Sequence, residues 1–253
     1  MAIDEIWRIY KGDVIDVGYS PHKSQYFNPN IEYVFNRDLT EYDMRDAGYA
    51  IIKHYGLLDA NTIKELSALD KMERTIAIGK LRGKDKDLSK LLTDKFAEMR
   101  SLFVSANRLS DSNIISVKND AIYTIGECSK LKFGQVEFVP KNKYSSYIRF
   151  TDNMNIEVYY SSGGLDVKGI GEVGLNRHRL YTLAFLSKVI YYLESKNPSL
   201  KRYLRTFIDE YKGMKLDDEY YIEFNNMSSM YNPIYNYQKM LIPLIQISLR
   251  EMT

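Results

Sequence analysis

The stretch Ser116-Val117-Lys118-Asn119-Asp120-Ala121-Ile122-Tyr123-Thr124-Ile125-Gly126, SVKNDAIYTIG, sets two short β-prone runs around a polar Lys-Asn-Asp centre. Valine, isoleucine and tyrosine favour extended backbone, while asparagine and aspartate suit a tight turn. The run therefore reads as a hairpin that presents Asp120 at its tip. Two roles are open to Asp120 at this level. It is a turn former, or it is a carboxylate displayed for a metal ion.

Working outward, the flanks differ in period. Upstream, Leu39–Met44 (LTEYDM) reads as a strand that runs directly into a helical stretch, RDAGYAIIKHYGLL. Asp59 or Asn61 caps a helix reaching about Leu69. A basic segment follows, then an amphipathic helix from Asp87 to about Arg108, with Leu88, Leu92, Phe96, Met99 and Phe103 at helical spacing. Further upstream, residues 12–20 and 31–36 read as strands. Downstream of the hairpin, residues 133–139, 145–150, 155–160 and 165–168 read as strands. Helices return from Asn176, again over 199–212, and finally over about 236–250, where Pro243 predicts a kink. The order β, α, β, then helix predicts an α+β fold: an antiparallel sheet with packed helices over 1–174, and a helical C-terminal subdomain over 175–253.

Bulk composition narrows the classes. The chain has 253 residues, 45% hydrophobic and 27% charged, as expected of a folded domain or two. Its net charge is only +2, so nucleic-acid binding requires a local basic patch. Cys128 is the single cysteine, which excludes an intramolecular disulfide and fits a reducing, cytoplasmic setting. No apolar run reaches membrane-spanning length, and the first residues do not resemble a secretory signal. His22, His54 and His178 lack the spacing of a zinc site, and no P-loop, nucleophile elbow or dinucleotide fingerprint is present.

Candidate chemistry rests on two aspartates and a set of cations. Asp43 ends the strand LTEYDM and Asp120 tips the hairpin, with enough helix between them for a crossing that returns to one sheet. Two carboxylates at adjacent strand ends suit a pair of magnesium or manganese ions. Read separately, Asp120 fills a turn and Asp43 or Asp46 caps the next helix. From Lys71 to Lys95 eight basic residues face four acidic ones, a local excess of +4. Lys71 and Arg74 share a helical face and suit a triphosphate, one as a point charge and one as a bidentate fork. Gly79 and Gly83 interrupt that helical pattern. Lys141, Lys143 and Arg149, with Tyr144 or Tyr147, suit phosphate, sugar or base contacts, and Lys168 does the same from a later strand. The plain alternative is a sheet edge guarded by lysines.

In this order the elements resemble the palm of template-dependent polymerases, most nearly the family B DNA polymerases. The matching pieces are YDMRDAG, KMERTIAIG, KNDAIY, KNKYSSYI and DVKGIG, spanning roughly residues 39–172 and followed by a helical region like a thumb. The hairpin carries Asn119-Asp120 where that family places two aspartates around one residue. The resemblance implies a nucleotidyltransferase that uses Mg²⁺ or Mn²⁺ on Asp43 and Asp120 and binds a nucleoside triphosphate through Lys71 and Arg74. It also implies that Lys141, Lys143, Tyr144 and Lys168 hold a primer-template or single strand. A non-catalytic nucleic-acid-binding or DNA replication accessory protein on the same scaffold is the alternative, with a partner chain as in a split polymerase. A protein-interaction module using the tyrosine- and methionine-rich stretch 220–240 is the third reading.

Overall fold

A computed structural model of the chain describes residues 24–150, 156–162, 164–168, 184–213 and 215. They form a mixed α+β fold with two antiparallel sheets and several helices, some toward the C-terminus. The chain divides into two units. One comprises the described parts of Met1–Asn30 with Asp38–Lys143, the other those of Ile31–Arg37 with Tyr144–Thr253. The boundary expected between residues 174 and 175 lies outside the described residues. So do the strand expected over 12–20, the stretch 220–240 and the helix expected over 236–250.

Strands are numbered along the whole chain. The first unit holds β1 (Gln25–Phe27), β3 (Leu39–Met44), β4 (Ile114–Lys118), β5 (Ala121–Ile125), β6 (Lys132–Phe133) and β7 (Val136–Tyr144), β7 ending at the start of the second unit. Their order in the sheet is β1-β4-β5-β3-β7-β6. Between β3 and β4 the chain makes four helices: α1 (Ala47–Tyr55), α2 (Ala60–Ala68), α3 (Lys71–Lys84) and α4 (Lys86–Ala106). Aspartates start three of them. The Asp59 side chain accepts from the amides of Asn61 and Thr62, and Asp85 accepts from Leu88. Asp70 and Glu73 form a reciprocal capping box.

This crossing is what seats the two aspartates in one sheet. β5 lies between β4 and β3, so the hairpin returns beside the strand left before the helices. Side chains alternate across each strand. On β3, Tyr42 and Met44 enter the core with Ile122, Phe138, Met99 and Phe103. The Phe103 ring centroid lies 4.4 Å from that of Phe138 and 5.3 Å from that of Tyr42. The alternate positions of β3 therefore place Glu41 and Asp43 on the other face. The strand expected over 133–139 is instead a hairpin, β6 to β7, that turns at Gly134 with φ 60°.

The second unit holds β2 (Tyr33–Val34), β8 (Ser146–Phe150), β9 (Ile156–Ser161) and β10 (Gly164–Lys168), ordered β10-β9-β8-β2. It also holds α5 (Ala184–Ser195) and α6 (Pro198–Lys212). Tyr147 and Tyr159 are opposite each other in the sheet, and both hydroxyls donate to buried Glu157, at 2.9 and 3.2 Å. No described helix is long and apolar enough to cross a membrane.

Candidate active site

Asp120 occupies the second position of a two-residue loop, because Lys118 and Ala121 pair as the last rung of β4 and β5. Asn119 takes the left-handed backbone at φ 51°, a conformation that asparagine tolerates better than most residues. Three contacts fix this tip. The Asn119 amide donates to the Ser24 carbonyl at 2.6 Å. The Arg100 guanidinium donates to the Asn119 carbonyl at 2.8 Å. The Met44 amide donates to the Asp120 carbonyl at 3.1 Å.

The last contact joins the hairpin to the end of β3. Asp43 pairs with Ala121, the residue after Asp120, so the two aspartates are neighbours across the β3–β5 ladder. Both line one cavity of about 580 Å³. Half-buried Asp120 has its pKa raised, first by loss of solvation and then by the Asp43 charge. Lys141 and Arg100 act in the opposite direction. The cavity is also lined by α3, through Lys71, Thr75, Ile78, Gly79 and Arg82. That spacing is one helical face, and its two cations are separated by roughly 16 Å of helix rise. A Cβ added at Gly79 would meet nothing within 4 Å, so the cavity beside it is open.

The two residues expected to grip a triphosphate are placed differently. Lys71 lines the cavity; Arg74 does not. The Arg74 guanidinium sits 2.8 Å from the Asp46 carboxylate and 4.6 Å from the Tyr49 ring centroid, tying α3 to the start of α1. Asp46 stands at the N-cap of α1 without making a side-chain cap, since its backbone is left-handed, and its carboxylate serves Arg74 instead. Arg82 takes the second cationic place on the cavity face.

On the adjacent strand β7, the Lys141 ammonium lies 3.1 Å from Asp43 Oδ2 and 3.8 Å from Glu41 Oε1. The hydrogen bond to Asp43 holds its pKa above the usual lysine value. Lys143 is exposed and pairs with exposed Glu127. In the second unit the Tyr144 hydroxyl donates to Asp166 at 2.6 Å, and the Lys168 ammonium lies 2.9 Å from the same carboxylate. Tyr144 is buried and Tyr147 fully so, their rings packed against Tyr159. This corrects the expectation that either tyrosine offers its face to a sugar or base: alternation on these strands turns both rings inward.

Two functional candidates escaped the sequence reading. Arg100 continues the apolar spacing of Leu92 and Phe96 on α4, and a lone arginine on a core-facing stripe was the available signal. Glu41 lies two residues before Asp43 and is buried, accepting from Tyr123 at 3.0 Å and from Asn142 at 2.6 Å. Burial pushes the Cys128 pKa up to about 11, which favours the protonated thiol at neutral pH.

The oxygen donors of Asp43 and Asp120 fit a hard divalent cation. Magnesium is commonly held by one or two carboxylates, with water and substrate phosphates completing its shell. Among the described residues no group of three or more His, Cys, Asp or Glu forms a self-sufficient metal cage.

A family model described as bacteriophage PBS1 gene 130 protein matches residues 19–249. The chain belongs to the bacteriophage PBS1 gene 130 protein family. No curated protein matches it. In this PBS1 gene 130 family member the match takes in both aspartates, the α3 cations and the β7 lysines.

Proposed function

We propose that this chain is a palm-like nucleotidyltransferase, using two divalent metal ions on Asp43 and Asp120 to extend nucleic acid from a nucleoside triphosphate. One observation carries the reading: two carboxylates remote in sequence line the same cavity as a helix face bearing Lys71 and Arg82. Charged cavities of this kind suit a polyphosphate beside a metal pair.

Bound metal would stabilise the attacking and leaving oxygens of an in-line displacement. The 3′-oxygen of the strand bonds to the α-phosphorus, the bond from that phosphorus to its bridging oxygen breaks, and pyrophosphate leaves. The hydroxyl proton passes to solvent. Lys71 and Arg82 hold the triphosphate, one as a point charge and one as a fork. Arg100 fixes the hairpin so that Asp120 keeps its place beside Asp43. Lys143 and Lys168, whose present partners are carboxylates on the surface or part-exposed, bind backbone phosphates.

Primer extension with Mg²⁺ or Mn²⁺ tests the proposal. Asp43→Ala and Asp120→Ala abolish nucleotide addition; activity unchanged in either overturns it. The second reading is a non-catalytic nucleic-acid-binding or replication-accessory protein on this scaffold. It draws on the single aspartate in the Asn119-Asp120 loop and on Lys141 already neutralising Asp43. It expects salt-sensitive binding without turnover, weakened by Lys141→Glu and Lys143→Glu.

A further inference from the structure

Lys141 is the hydrogen-bond partner of Asp43 among the described residues, yet its side chain is 53% exposed. Its other carboxylate contact is dispensable. Glu41 is already held by Tyr123 and Asn142, at 3.0 and 2.6 Å, while the ammonium stands farther off at 3.8 Å. The ammonium thus neutralises Asp43 on a flexible four-carbon stem, about half of which is open to solvent. Lys143 is two residues farther along β7 and so on the same face of the strand, with its own side chain 69% exposed.

We propose that Lys141 is a displaceable cation, exchanging between Asp43 and the phosphates of bound nucleic acid, so that divalent-metal binding and nucleic-acid binding strengthen each other. This rests on the reading of Asp43 and Asp120 as metal ligands. A divalent ion at the aspartates brings positive charge to the place the ammonium occupies, and like-charge repulsion drives Lys141 off Asp43. The released ammonium joins Lys143 in a phosphate-binding pair. By linkage, metal raises nucleic-acid affinity by the same factor that nucleic acid raises metal affinity. A fixed clamp is the competing role for Lys141. A clamp orients Asp43 for the metal, so removing it weakens metal binding. A displaceable cation competes with the metal, so removing it strengthens metal binding.

The test measures Mn²⁺ binding by electron paramagnetic resonance on the full chain without nucleic acid. Lys141→Met binds Mn²⁺ about three- to tenfold more tightly than the wild type, as expected for loss of an exposed competing ion pair and of its repulsion. Lys141→Arg, which keeps the charge, stays near the wild-type value. Binding of a fluorescein-labelled DNA duplex with a single-stranded overhang is then measured with and without Ca²⁺, which permits binding without extension. Ca²⁺ tightens wild-type binding, and Lys141→Met loses that gain. Equal or weaker Mn²⁺ binding by Lys141→Met overturns the exchange, and so does a Ca²⁺ gain that survives the substitution. The underlying site is judged separately: if Asp43→Asn and Asp120→Asn leave Mn²⁺ binding unchanged, the metal reading itself falls, and the exchange with it.

Discussion

Asp120 sits half-buried beside Asp43, and both desolvation and that neighbouring charge raise its pKa. A carboxyl with a raised folded pKa contributes stability only where it is protonated. That contribution is complete below the unfolded value near 3.8 and is lost as pH rises through the folded value. At neutral pH the ionised side chain therefore weakens the fold. Asp120→Asn is expected to raise the melting temperature at pH 7.5 relative to wild type, with the difference closing toward pH 3.5. A lower melting temperature at pH 7.5 would remove the electrostatic account. Arg100 has the opposite balance. It is fully buried, and its bond to the Asn119 carbonyl secures the loop. Arg100→Met leaves that carbonyl short of a donor, a loss of about 1–3 kcal/mol in denaturant unfolding.

The hairpin from β6 to β7 meets the end of α1 through a close approach at Gly134. Its backbone is left-handed at φ 60°, and a Cβ there would stand 2.3 Å from the His54 ring. Gly134→Ala combines backbone strain with this clash and is expected to destabilise by about 1–3 kcal/mol. Chemical denaturation measures it directly. His54 itself has its pKa lowered, chiefly by burial. Its neutral form is favoured in the fold, so its contribution is present above the unfolded value near 6.5 and is lost as pH falls through the folded value. Melting curves from pH 7.5 to 5 should show this loss, and His54→Phe should flatten it. At α3 the Asp70–Glu73 capping box sets the helix start just before Lys71. Asp70→Ala is expected to cost about 1 kcal/mol and, if α3 holds a triphosphate as proposed, to weaken that binding, because the first turn carries Lys71.

For the whole molecule, a net charge of +2 leaves little long-range attraction for a polyanion. On the proposed reading, DNA binding depends on a few local cations, and its salt dependence counts them. Lys143→Met should lower the slope of log affinity against log salt by about 1 and weaken different sequences equally. A slope unchanged by the substitution places the contact elsewhere.

Local physics made most of the elements legible. Residues 39–44, the hairpin through Asp120 and the helix ending near 106 all follow from β-branched runs, turn residues and helical spacing. The cap was readable as Asp59 or Asn61 because capping chemistry lies within three residues of the helix it starts, and the structure selects Asp59. By itself the sequence determined an α+β chain with an aspartate at a strand end, another at a hairpin tip and a basic helix between them. Tertiary structure alone decided that β5 lies against β3, which makes those aspartates neighbours. It also decided that Arg82 rather than Arg74 lines the cavity, and that Tyr144 and Tyr147 turn inward. Strand order and side-chain partners depend on contacts between residues far apart in the chain, and the short-range propensities that shape a single element carry no record of them.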